Sequence, residues 1–226
     1  MTEWVPGPAL AALHDGVTVV CELAAQFTDD GWAAPTPCPE WRAADLAGHL
    51  RCVADDFNEY LDDAPASRLA RLMATGADPA RLARKLARQN AAELAALGEG
   101  QGPEHIAAFA ASARGYARRI PAVWGLPHHR YRGTVVTVGD VAGAACAEWH
   151  LHAWDLARAL GKDYCPASPD ILAAGWRAGK PHLPLRRPVA VAARGAAPAG
   201  GSVGDEAWPS GNAAWRMLLH NSGRLA

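Results

Sequence analysis

The stretch Glu148 to Gly161, EWHLHAWDLARALG, places one glutamate and two histidines within five residues of a predicted helix. That helix is expected from Val141 to about Leu160, with Asp140 capping its start and Gly161 ending it. At about 100° per residue, Glu148 and His152 lie roughly 40° apart around the axis, and Asp155 falls close to both one turn further on. His150 points to the opposite side. A carboxylate and an imidazole four residues apart can close on one cation or form an ordinary solvated pair, and the spacing alone leaves both open. Asp155 can orient a metal ligand from just outside the coordination shell, or pair with Arg158 three residues on. The local pair is the simpler expectation.

A third donor has to come from another helix. From Trp41 onward, Leu46, His49, Leu50, Val53, Phe57, Tyr60 and Leu61 recur at helical steps, with Asp45 in the first turn where the helix dipole favours a carboxylate. His49 therefore shares a face with apolar residues. It is either a hydrogen-bonded core histidine or the third protein ligand of a site like catalytic zinc, which keeps one coordination position open. His128 and His129 follow Pro127 in an expected loop. Adjacent side chains diverge, so they are expected at the surface and outside the site. Trp41, Trp149 and Trp154 are expected as core or bundle-edge aromatics.

The rest of the chain also reads as helical. Leu10, Leu13, Val17, Val20, Leu23 and Phe27 mark an amphipathic helix within residues 8–28. Pro35, Pro37 and Pro39 then impose an extended connection. Residues 65–97 predict a short helix and a longer one, about Pro79 to Leu97, and another helix follows from about Pro103 to Ile120. TVVTV, residues 134–138, is the only strongly strand-like run, too short and solitary to predict a sheet. Beyond Cys165 the texture changes: Ser168 to Gly179 suits a helix, a Pro-, Gly- and Ala-rich arm comes next, and AAWRMLL suits a last helical turn or two. Residues 1–164 are expected to form a helical bundle, with 165–226 as an irregular extension packed on it.

Lys and Arg number 22 against 23 Asp and Glu, which gives no basic excess for tracking phosphates and makes nucleic acid an unexpected partner. Apolar runs are short and the N-terminus lacks signal-peptide character, so a soluble cytoplasmic protein without membrane spans is expected. Five cysteines without a CxxC pair argue for reduced thiols.

Two motifs then carry a family resemblance. PTPCPEWRAADLAGHL, Pro35 to Leu50, resembles the signature of the mycothiol-dependent maleylpyruvate isomerase N-terminal domain family, within the DinB-like metal-binding superfamily. EWHLHAWDLARALG is similar to that family's last-helix motif, and the resemblance spans about residues 8 to 164. It implies an all-α, DinB-like up-and-down four-helix bundle with extra short helices. It further implies one divalent metal, usually zinc, on His49, Glu148 and His152.

In the family, a low-molecular-weight thiol, mycothiol, serves as cofactor or co-substrate. For maleylpyruvate the thiolate would add to the cis double bond, allow rotation and leave again; in relatives it is transferred and kept. Small-molecule partners are therefore expected, from a monomer or homodimer. Two departures stand out. Arg42 occupies a position where the family commonly has Thr or Ser as a helix cap, which leaves capping to Asp45 or water, and the last 60 residues do not resemble the second domain of the isomerase itself. The alternatives are a thiol-independent metal-dependent isomerase, cyclase or hydrolase, and a non-catalytic metal- or small-molecule-binding module.

Overall fold

A computed structural model describes residues 2–39, 41–62, 73, 78–98, 100–183, 185–186 and 209–225. Four long helices build the bundle: α1 (Pro6–Ala24), α2 (Ala43–Asp62), α4 (Gly102–Arg119) and α5 (Val138–Ala159), with α3 (Pro79–Leu97) lying between α2 and α4 in the chain. Both α1 and α2 pack against α4 and α5, so α1 faces α2 across the core and α4 faces α5. This placement explains the long connections. The chain must cross the bundle from α1 to α2 and again from α4 to α5, which a short loop between adjacent antiparallel helices could not do.

The first crossing is the proline-rich segment, held by a 3-10 turn (Asp30–Ala33) and a single bridge between Pro35 and Arg42. Its end meets α2 where Arg42 stands in the capping region. The expectation of a substitute cap holds, because the Asp45 carboxylate accepts from the Arg42 backbone N–H at 2.8 Å. The centre of the core is aromatic: Phe109 and Tyr116 meet Trp149 edge-on at 5.7 and 6.4 Å between centroids.

The second crossing departs from expectation. TVVT does not stand alone: β2 (Thr134–Thr137) pairs antiparallel with β1 (Pro127–Tyr131). Arg132 and Gly133 turn the hairpin with positive φ of 48° and 87°, as a two-residue loop matched to strand twist requires. This pairing also overturns the expected surface position of His128 and His129, which are only 3% and 9% exposed. The strand carries them under the bundle's end. Helix α5 likewise begins earlier than predicted, at Val138. Thr137 is the cap, and Asp140 completes a reciprocal capping box from the third helical position. Gly161, at φ 69°, ends the helix as expected.

Helix α3 packs on α2, α6 (Pro169–Gly179) packs on α5 and α1, and α7 (Asn212–Asn221) packs on α6. The final helix is a full ten residues, longer than the turn or two expected. Helices α5 and α6 approach very closely. A Cβ at Gly143 would lie 2.2 Å from the Gly175 carbonyl oxygen, and one at Gly179 would lie 2.3 Å from the Ala144 backbone nitrogen. Glycine is required there because nothing larger fits between the backbones. This contact brings Lys180, just past the end of α6, alongside α5. The short helix expected within 65–78 falls largely outside the described residues, as does the arm at 187–208. No described helix is long and apolar enough to cross a membrane.

Candidate metal centre

Helices α2 and α5 bring His49, Glu148 and His152 together, with one ligand atom from each lying within 4.8 Å of the others. Both histidines are 4% exposed, and their rings meet edge-on with centroids 5.0 Å apart. His152 Nε2 lies 3.3 Å from Glu148 Oε2, the contact that a spacing of four on one helix face dictates. His150 faces away, bonding to the Ala12 carbonyl at 2.8 Å and to the Tyr164 hydroxyl.

Two nitrogens and a carboxylate oxygen from two rigid helices form a donor set suited to a borderline cation such as zinc, with room for a further ligand. His152 Nε2 and Glu148 Oε2 already stand at about the spacing of two neighbouring ligands in a tetrahedral shell. The protonation pattern is compatible. Burial pushes the His49 imidazole down to about 3, helped by His152, so His49 is neutral and has a free lone pair. Burial acts in the same direction on His152, but Asp155, Cys38 and Glu148 outweigh it and hold its proton well above the ordinary range. A cation facing Nε2 would replace that proton. Burial favours the neutral acid at Glu148, yet the Lys180 ammonium and His152 override it and keep the carboxylate ionised well below its usual range.

Asp155 supports this arrangement from behind. Its Oδ2 lies 2.9 Å from His152 Nδ1, and the residue is fully buried. The expected Arg158 partner is wrong: Arg158 reaches Asp163 at 2.8 Å, while Asp155 is gripped by Arg224 from beyond α7, with Nη2 2.6 Å from Oδ2 and Nε 2.9 Å from Oδ1. Arg158 is the exposed alternative, and a buried carboxylate needs a partner that reaches inward. The Cys38 thiol also donates to Asp155 Oδ2 at 3.2 Å. Cys38, His152 and Asp155 therefore form a second group with metal-like spacing. The Arg224 guanidinium already neutralises Asp155 there, which leaves this group suited to orienting His152 rather than to holding a second cation.

Several members of the site have no helical period to announce them. Lys180 pairs with Glu148 Oε1. His129, Lys180 and His182 line a cavity of about 130 Å³ that also reaches His49 and Glu148. Trp41, expected as a core or bundle-edge aromatic, packs against His49 at 4.7 Å between ring centroids. The only advance signal for Cys38 was its place among the prolines that precede α2.

Residues 13–157 match the family model described as the mycothiol maleylpyruvate isomerase N-terminal domain, more than half of the chain. The match takes in His49, Glu148, His152 and Asp155 and stops short of Lys180, His182 and Arg224. No curated protein and no solved structure gives a match.

Proposed function

We propose that this chain, which belongs to the mycothiol maleylpyruvate isomerase N-terminal domain family, is a metal-dependent enzyme of the thiol-dependent isomerase and transferase type. His49, Glu148 and His152 hold one divalent cation, zinc by the nature of the donors. The observation that carries this reading is the convergence of two buried imidazoles and a carboxylate beside a cavity. Such a cation, when bound, supplies the Lewis acidity that makes a thiol such as mycothiol, or a water molecule, nucleophilic near neutral pH.

The protein's own groups do the rest. Asp155 takes a hydrogen bond from His152 Nδ1, which fixes the tautomer and leaves Nε2 directed at Glu148. Arg224 holds Asp155 in place. Trp41 packs against the His49 ring and supports its orientation. The cavity positions a small-molecule substrate within reach of Glu148 and Lys180.

Titrating mycothiol into the cobalt-substituted protein tests the thiol assignment. A new sulfur-to-cobalt absorption band is the expected result. An unchanged spectrum at saturating thiol contradicts thiol use. It would favour a second reading, in which water is the nucleophile of an isomerase, cyclase or hydrolase. That reading draws support from Lys180 and His182, cavity residues that lie beyond the family match.

A further inference from the structure

Glu148 presents its two carboxylate oxygens to two different partners. Oε2 faces His152 Nε2 at 3.3 Å, within the group that His49 completes. Oε1 is taken by the Lys180 ammonium. A hydrogen bond between charged groups is roughly twice as strong as one between neutral groups, and this pair is largely shielded from water, with 13% and 25% of the two side chains exposed.

The chain around Lys180 is fixed, which fixes where the ammonium stands. Its backbone N–H donates to the Trp176 carbonyl at 2.8 Å, and its carbonyl accepts from the Leu183 N–H at 2.8 Å. Gly179, the residue before it, lies against α5: a Cβ there would stand 2.3 Å from the Ala144 backbone nitrogen and 2.4 Å from the Asp140 carbonyl oxygen. Lys180 Nζ also sits over the buried Trp176 ring, 5.1 Å from its centre, where the negative face of the ring attracts a cation. The Trp176 indole N–H in turn donates to the Leu183 carbonyl at 2.7 Å. The lysine head is thus held by the end of its own helix as well as by Glu148.

A carboxylate can hold a cation through one oxygen or through both. Binding through both fills a position that a catalytic site with three protein ligands leaves for water or substrate. At Glu148 it would also bring the cation up to the oxygen already bonded to an ammonium, where like charges repel. We infer that Lys180 is a positioning residue of the metal centre: by occupying Oε1 it confines Glu148 to binding through Oε2 and so keeps a coordination position open. The inference rests on the proposed metal function and adds to it a residue beyond the family match, which ends at residue 157. The glycine contacts between α5 and α6 then serve the site, since they set the place of the ammonium.

The full chain loaded with cobalt(II), a spectroscopic stand-in for zinc, tests this in the wild type, Lys180→Met and Lys180→Arg. Lys180→Met keeps an unbranched side chain and removes its donors; Lys180→Gln replaces it should that variant fail to fold. The readouts are cobalt content, the visible absorption of the bound ion and its affinity for imidazole. Imidazole is a neutral probe, so loss of the lysine charge does not itself attract or repel it. Lys180→Met is expected to retain about one cobalt per chain, to show the weaker visible bands of a higher coordination number, and to bind imidazole about tenfold less tightly or worse. Lys180→Arg can still donate to Oε1 and should restore both toward wild type. Wild-type bands and imidazole affinity in Lys180→Met overturn the inference and leave Lys180 as a counter-ion only. Loss of cobalt from folded Lys180→Met also overturns it, because the lysine would then hold the ligand itself rather than select its oxygen. A wild type that takes up no cobalt refutes the metal function, whereas a wild type that binds cobalt beside an unchanged variant refutes this inference alone.

Discussion

His152 and Asp155 are joined by a 2.9 Å hydrogen bond from the ring Nδ1 to Oδ2, with both residues buried on the inner face of α5. The bond leaves Nε2 as the nitrogen facing Glu148, so removing Asp155's charge should loosen the ligand that it orients. Replacing Asp155 with Asn is expected to weaken zinc binding about 10- to 100-fold in chelator competition. It also leaves the Arg224 guanidinium without its counter-ion, with an expected stability loss of about 2 kcal/mol in denaturant titration. Unchanged zinc affinity in the folded variant would show that the hydrogen bond serves packing alone.

The close approach of α5 and α6 positions Lys180, and it depends on glycine. Gly143→Ala would put a methyl group 2.2 Å from a backbone oxygen that cannot rotate away. The helices must separate, with an expected loss of at least about 2 kcal/mol. Gly7→Ala, with nothing within 4 Å of the new methyl, is the control and should leave the thermal midpoint unchanged or slightly raised.

Tyr116 is fully buried, and its hydroxyl has no hydrogen-bond partner among the described residues. Tyr116→Phe removes a desolvated polar group and keeps the ring contact with Trp149. An increase in stability of about 1 kcal/mol is expected. A clear loss in chemical denaturation would mean that the hydroxyl has a partner in the folded protein.

Burial pushes His128 down to about 4 from its ordinary 6.5. Below pH 6.5 the unfolded chain takes up a proton that the folded chain refuses, so this stability is fully present above 6.5 and is lost as pH falls toward 4. In His128→Gln, the slope of unfolding free energy against pH in that window should become shallower by up to about 1.4 kcal/mol per pH unit, one proton's worth. A wild-type slope in the variant would contradict a buried neutral His128.

The sequence made the helical part of the site legible. Spacing puts Glu148 and His152 on one face of α5 and turns His150 away, and His49 falls on the apolar face of α2, but a solvated pair and a core histidine fit those spacings equally, and the family resemblance is what joined the three. Asp155 was legible in position but not in partner. The spacing offered Arg158, whereas the true partner, Arg224, lies 69 residues away and is brought in by the packing of α6 and α7. His129, Lys180 and His182 sit on a strand and just past a helix end, where no period fixes direction. Their convergence depends on the hairpin and the glycine contact. The hairpin itself had one readable sign, Arg132-Gly133 ahead of TVVT, but PHHRY has too little apolar alternation to read as its partner strand.

His49, Glu148 and His152 are proposed to hold one metal ion. Zinc per chain, measured by elemental mass spectrometry on the purified wild type and on folded His49→Ala and His152→Ala variants, tests it directly. Close to one equivalent is expected in the wild type and almost none in either variant. Equal zinc in all three proteins would contradict it.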